Sequence, residues 1–277
     1  MEIIDGTKLR EVPLFYKGYS SLKQGVKFES VNYMLRIPTE KEVDGVAITH
    51  GVANYLYSKL AKLFGLEYEN VKLVNYDNII TSMCRDFEVD KNAKFYSMED
   101  INGRFDLSTS MDVYNMMDVC TELDNLYLGG SFTILKRFME TIVLDFITGN
   151  YNRRLCGFGI LVRSKVFVES APIFGGAMAF DSCLKLATMK EISATGRFER
   201  RCTWQEFNYL KCNEERIVPY TFIIKDKSIA DVVIEQFVNV SENDIYNIVN
   251  RMNMIDDFTK SYIINMVLLH INMLKSI

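Results

Sequence analysis

The sequence of 277 residues holds only two histidines and one tryptophan, and its six cysteines form no CxxC pair. That spacing argues against a structural zinc centre, which draws on closely paired cysteine and histidine ligands. The opening MEIIDGTKLREVPLF carries acidic residues and no uninterrupted apolar core, so it does not read as a secretory signal. Cys84, Cys120, Cys156, Cys183, Cys202 and Cys212 are accordingly expected to be reduced and mostly buried. There is no run of about 18 apolar residues to cross a bilayer, and the protein is expected to be cytoplasmic and to bind no membrane. A basic excess is missing too. The net charge of -4 argues against a general nucleic-acid-binding surface, which needs cations to neutralise phosphates. Only four prolines interrupt a chain that is 48% apolar, so a compact fold is expected throughout. His50 and His270 lie far apart and are read as structural.

What is present has two textures. From Pro13 to Pro38, β-branched and aromatic residues alternate with turns, as in KGYSSLKQGVKFESVNYMLRIP, and predict two or three antiparallel strands. GVANYLYSKLAKLFG follows with Val52, Tyr55, Leu56, Leu60, Leu63 and Phe64 at helical spacing and Gly65 as a left-handed stop. VKLVNY and NIITSMCRDF read as further strands. Beyond a polar loop around Lys91 and Asn92 the pattern turns helical. SFTILKRFMETIVLDFIT has Ser131 as N-cap and an apolar stripe of Leu135, Phe138, Met139, Ile142 and Phe146, and ends at Gly149. FGILV and KVFVES form a hairpin turning at Arg163 and Ser164. SENDIYNIVNRM, with Ser241 and Asp244 resembling a capping box, and FTKSYIINMVLLHINML are helices. Their methionines and aromatics are read as core.

A sheet with one helix, then a helical part with a loop and hairpin at the junction, is the order of a two-lobed kinase. Four motifs narrow this: VNYMLRIP, CRDF, DFITGNYNRRLCGFGILV and SAPIFGG. On these the chain resembles the HipA-like serine/threonine kinases, known as toxins of toxin-antitoxin pairs, and particularly their shorter members. The resemblance runs from about Tyr16 to the final helices. It implies an α+β, two-lobed protein-kinase-like fold, with an N-lobe of sheet plus helix over 1–90 and a mostly helical C-lobe over 91–277.

The same resemblance shows what is missing. Where active relatives carry the ATP-binding lysine of YMLKFP, this chain has Arg36, and the paired glutamate falls on Asn54. The family's catalytic loop resembles Gly-Asn-x-Asp-Arg-His-x-x-Asn-x-Gly, in which aspartate orients the attacking hydroxyl and the second asparagine binds magnesium. Gly149, Asn150, Arg153 and Gly159 match, while Asn152, Arg154 and Gly157 stand at the aspartate, histidine and metal-binding asparagine. After Ala171 to Phe174, Gly175 replaces the metal-binding aspartate. Phosphoryl transfer depends on charge neutralisation and positioning, so these losses together predict no conventional kinase activity. No cofactor and no metal are expected.

What remains is a site richer in cations. Arg36, Arg153 and Arg154 could bind a phosphate bidentately, or could serve as ion pairs that lock the lobes together. GYSSLKQGVK aligns with the phosphate-covering loop, and its Ser20 and Ser21 stand where relatives can be phosphorylated; a plain hairpin turn would have the same composition. Glu169 and Asp181 are the candidates for replacement carboxylates, whereas Asp145 belongs to the framework shared with active relatives. GRFERRCTW clusters Arg197, Arg200 and Arg201 beside Phe198 and Trp204, a pattern that could take an acidic partner or RNA but is read as a solvated helix face or turn. The reading is a pseudokinase that binds and regulates a protein partner, such as an active HipA-like kinase or an antitoxin. The alternatives are a divergent ATP- and magnesium-dependent kinase or nucleotidyl transferase, and a metal-free phosphate or nucleotide sensor.

Overall fold

Short alternating segments separated by left-handed turn residues build the first part of the chain. β3 (Lys23–Phe28) and β4 (Val31–Arg36) pair antiparallel around Glu29 and Ser30, with φ of 47° and 68°. β5 (Val71–Tyr76) and β6 (Ile79–Arg85) turn in the same way at Asp77 and Asn78, with φ of 51° and 65°. Two consecutive left-handed residues match the twist of a tight hairpin, and asparagine and aspartate tolerate them well. With β1 (Ile3–Asp5) and β2 (Arg10–Glu11) the sheet has the order β1-β5-β6-β4-β3-β2. All of its pairings are antiparallel except β1 with β5, which is parallel. The computed structural model describes residues 1–14, 16, 22–39, 45–88, 92–98, 100, 133–153, 155–163, 167–182, 184–207, 211–212, 215–216, 223 and 227–277.

One face of this sheet closes over Ile4, Val26, Tyr33, Leu35, Val74 and Met83. Against the other face lies α1 (His50–Leu63), capped by Thr49, whose hydroxyl accepts from the Val52 N–H at 3.3 Å and donates to the Ile80 carbonyl at 3.0 Å. Gly51 lets the helix backbone close on β6, since a β-carbon there would stand 2.5 Å from Thr81 Cα. The helix stops at Gly65, φ +73°, as its sequence predicts.

The second part is built around α2 (Thr133–Thr148), buried without a break from Phe138 to Thr148. The five residues of its predicted stripe are all buried; the N-cap position, Ser131, lies outside the described residues. α5 (Lys227–Val238) and α7 (Asp257–Lys275) pack on α2, and α6 (Glu242–Asn250) bridges α7 and α1. At the start of α6 the Ser241 hydroxyl accepts from the Asn243 N–H at 3.2 Å, one residue before the partner a capping box would use. His270, fully buried, places Nδ1 3.0 Å from the Ile147 carbonyl and Nε2 3.0 Å from that of Cys202. It ties α7 to α2 and to α4 (Phe198–Trp204), the helix that follows α3 (Leu186–Ala194), a structural use. Burial pushes its pKa down.

The predicted hairpin is present as β8 (Gly159–Arg163) and β9 (Phe167–Ser170). Helical texture was expected directly after Asn92; instead β7 (Lys94–Ser97) adds a third strand to this hairpin. Four residues are too few to show a period of their own, and the pairing with β8 decides the state.

Candidate functional site

The sequence-predicted site gathers where α2 ends. Gly149, φ +65°, turns the chain, and the Asn150 N–H returns to the Asp145 carbonyl at 2.8 Å. Tyr151 then points away from the cleft, donating to the Cys202 carbonyl at 3.0 Å. Asn152, at the catalytic-aspartate position, is half-buried on the turn. The next side chain, Arg153, folds back inside and is only 3% exposed.

Arg153 and Asp145 form a bidentate buried pair, Nε to Oδ2 at 2.5 Å and Nη2 to Oδ1 at 2.8 Å. Nη2 also donates to the Tyr57 hydroxyl at 2.7 Å, and that hydroxyl donates to Asp145 Oδ1 at 2.9 Å. Nη1 donates to the Gly157 carbonyl at 3.0 Å and the Phe174 carbonyl at 2.5 Å. Asn150 adds a bond to Asp145 Oδ1 at 2.8 Å. All five guanidinium N–H groups are thus directed at protein acceptors, which corrects the reading of Arg153 as a phosphate ligand. Its ion pair with Asp145 lies within the second part of the chain, and only its bond to the Tyr57 hydroxyl reaches α1.

Gly157 and Gly175, expected at the metal-ligand positions, flank this guanidinium. A β-carbon on Gly157 would lie 3.1 Å from both Cγ and Nη1 of Arg153, and one on Gly175 would lie 3.1 Å from the same Nη1. Gly175 also has φ +81°, a conformation that disfavours any side chain. A tethered cation therefore stands against both positions from which metal ligands would project. The residues present do not fit a divalent metal, because the carboxylate among them, Asp145, is already taken up by Arg153, Tyr57 and Asn150 and the two glycines carry no oxygen side chain. Among the described residues no group of three or more metal-ligating side chains occurs.

The candidate replacement carboxylates are engaged elsewhere. Asp181 takes Arg201 Nε at 2.9 Å, Arg201 Nη2 at 2.6 Å and the Tyr262 hydroxyl at 2.8 Å. Glu169 pairs with Arg163 at 2.6 Å. Of the basic cluster, Arg197 pairs with Glu191 and Arg201 with Asp181, while Arg200 and Trp204 are exposed. Arg154, Ser20 and Ser21 lie outside the described residues.

The upper half of the site brings the motif residues Arg36 and Asn54 close to Glu69, which no motif marked. Arg36 is 7% exposed, with Nη2 3.4 Å from His50 Nδ1. Asn54 accepts from the Gly176 N–H at 2.8 Å and donates to Cys84 Sγ at 3.3 Å. Beside them is Glu69, 5% exposed and within electrostatic reach of Cys84, Asn54 and Lys23. Burial raises the Glu69 pKa, and burial with the Glu69 charge raises that of the Cys84 thiol. The segment before β5 is brought here by Ile173: the Glu69 N–H donates to its carbonyl at 2.8 Å, and its N–H to the Glu67 carbonyl at 2.9 Å. At the far edge, Tyr16 donates to Asp86 at 2.7 Å, and the rings of Phe87, Phe95 and Phe174 pack with centroids 5.4 to 5.6 Å apart.

A sheet with one helix and a helical second part, with a loop and hairpin between them, is also the arrangement of known kinases. The serine/threonine-protein kinase CtkA of Helicobacter pylori is 23% identical over 265 residues, spanning 91% of this chain and 80% of that protein. The chain is related to the HipA-like kinases. The crystal structure of the H. pylori proinflammatory kinase CtkA superposes with a TM-score of 0.81 at 16% identity, covering 99% of this chain and 98% of that one. HipA of Shewanella oneidensis, solved with HipB and operator DNA, gives 0.53 at 10% identity, covering 97% of this chain and 63% of HipA. No family model matches the sequence. Against this HipA-like frame, no helix among the described residues is long and apolar enough to cross a membrane.

Proposed function

We propose that this HipA-like chain is a pseudokinase, without phosphoryl-transfer activity, that binds and regulates a protein partner. The observation that carries the first half is the Arg153 guanidinium lying against Gly157 and Gly175. The Asp145-paired guanidinium fills that place, and both glycines lack the oxygen ligands that magnesium takes. Asn152 adds to this, since an amide is no base for the attacking hydroxyl. Asp181 and Glu169, the carboxylates a divergent kinase or nucleotidyl transferase would recruit, are tied up in ion pairs.

The regulatory half follows from the fold kept around the altered site. The buried Asp145, Arg153 and Tyr57 network holds the loop in a defined shape that catalysis no longer requires. A kinase-shaped surface without turnover suits competition for the partners of an active relative, either the kinase itself or its antitoxin. The test is to titrate the purified chain into an active kinase of this type, such as CtkA, and follow its phosphorylation rate. A saturable change near equal stoichiometry is expected. No change at large excess, repeated with an antitoxin partner of such a kinase, would overturn the regulatory reading.

A further inference from the structure

The four carbonyls that close α2 are met from outside the helix. Those of Asp145, Phe146 and Thr148 take the N–H groups of Asn150, Gly149 and Phe180, at 2.8, 3.2 and 2.7 Å. That of Ile147 is met by the His270 ring, whose Nδ1 stands 3.0 Å away. On the other side of the ring, Nε2 is 3.0 Å from the Cys202 carbonyl and 3.3 Å from the Tyr151 hydroxyl, which is itself 3.0 Å from the same carbonyl. His270 is fully buried and Tyr151 is 2% exposed.

With a neutral ring this cluster is one hydrogen short. Neutral imidazole has one N–H and one bare nitrogen that accepts. The two carbonyls and the bare nitrogen then face only the ring N–H and the tyrosine O–H. If the ring hydrogen is on Nδ1, the Ile147 carbonyl is served, and Nε2 competes with the Cys202 carbonyl for the Tyr151 hydrogen. If it is on Nε2, the bare Nδ1 is left against the Ile147 carbonyl. A charged ring removes the shortage: each nitrogen donates to one carbonyl, and Tyr151 donates to the second lone pair of Cys202. Both carbonyls lie in the last turn of a helix, α2 or α4, an end that favours a cation.

The charged and titratable groups around the cluster are Tyr151 from the loop, Cys202 and Arg201 from α4, Asp181 from the segment after Gly175, and Tyr262 from α7 itself. From α2 the ring is faced by Phe146, with centroids 4.4 Å apart. Asp181 favours a charged ring, although Arg201 and Tyr262 already hold it. Burial opposes the charge and moves the titration below the ordinary value of 6.5. Burial also pushes up the two phenols and the Cys202 thiol, so they stay neutral while His270 changes charge.

We propose that His270 and Tyr151 form a proton-operated latch on the loop that leaves α2. With the ring charged, the Tyr151 hydroxyl is held by the Cys202 carbonyl. With the ring neutral, it is drawn between that carbonyl and Nε2, and Asn150 and Asn152 on either side move with it. The candidate site is thereby coupled to mildly acidic pH through a residue outside it. The latch involves no phosphoryl transfer and stands whether or not the chain is a pseudokinase.

NMR of the full chain, isotope-labelled in its backbone amides and its two histidine rings, tests this between about pH 5 and 8, with His50→Gln identifying the other ring. At the upper end the His270 ring is expected to be neutral with its hydrogen on Nδ1. On acidification the Asn150 and Asn152 amide signals should shift with the same midpoint as the ring. Tyr151→Phe removes the hydrogen that serves the neutral form, and should raise that midpoint by about one pH unit, a tenfold change in proton affinity. A ring hydrogen on Nε2, a ring that keeps one charge state throughout, or loop amides that ignore its midpoint would each overturn the latch, and all three are read on the natural chain. A midpoint unmoved or lowered by Tyr151→Phe would overturn it as well.

Discussion

A buried ion pair is expensive to break from one side. Asp145→Asn leaves the Arg153 guanidinium in the protein interior with a neutral partner, and should destabilise the fold by roughly 3–5 kcal/mol in urea unfolding. Tyr57→Phe removes a hydroxyl that both accepts from Arg153 and donates to Asp145, and should cost about 1–3 kcal/mol. The two losses should add to less than their sum, since both act on one network. Glu69 has the opposite sign. Its raised pKa means that burial favours the neutral form, so the native state holds a proton that the unfolded state releases in the window above the ordinary value of 4.5. Glu69→Gln is therefore expected to raise the Tm near pH 8, with the gain shrinking as pH falls toward that value. A Tm gap that widens on acidification would contradict the burial of the charge. Sequence marked Arg153 as a loop residue shared with active relatives. Its inward role was not legible, because its partners Tyr57 and Phe174 lie 96 and 21 positions away. Glu69 carried no motif at all, and Lys23 lay unremarked within GYSSLKQGVK.

At the scale of elements, α1 is the piece through which the two parts meet. Its residues Val52, Leu56, Tyr57 and Leu60 belong to the same cluster as Phe138, Ile142 and Ile271. Gly176 is the tightest point of that contact, where a β-carbon would fall 2.1 Å from Cγ of Tyr57. Gly176→Ala should accordingly cost roughly 1–3 kcal/mol and displace the Tyr57 ring, read by chemical denaturation. The helices α1, α2, α6 and α7 and the β3–β4 and β5–β6 hairpins were legible because each carries its own period or turn residues. β1 and β7 were not. β1 has three residues, and its parallel pairing with β5 joins Ile3 to Leu73, a contact no local pattern encodes.

Across the whole molecule, a kinase frame has been kept while the charges at its centre have been rearranged. The lower half of the site trades metal ligands for a cation held by Asp145, and the upper half brings Arg36 and Asn54 close to Glu69. The losses were readable from the motifs; the rearrangement was not, since it depends on which side chains the fold brings to one place. Restoring the family's residues with Asn152→Asp, Gly157→Asn and Gly175→Asp should therefore leave the chain inactive, because new side chains at 157 and 175 meet Arg153 and position 175 keeps its left-handed backbone. The most direct measurement is transfer of the labelled γ-phosphate of ATP, with magnesium or manganese, to the chain itself and to a general protein acceptor. No incorporation above buffer is predicted for the natural chain or for the triple variant, under conditions where CtkA is labelled. Metal-dependent incorporation by the natural chain, abolished by chelator, would contradict the account.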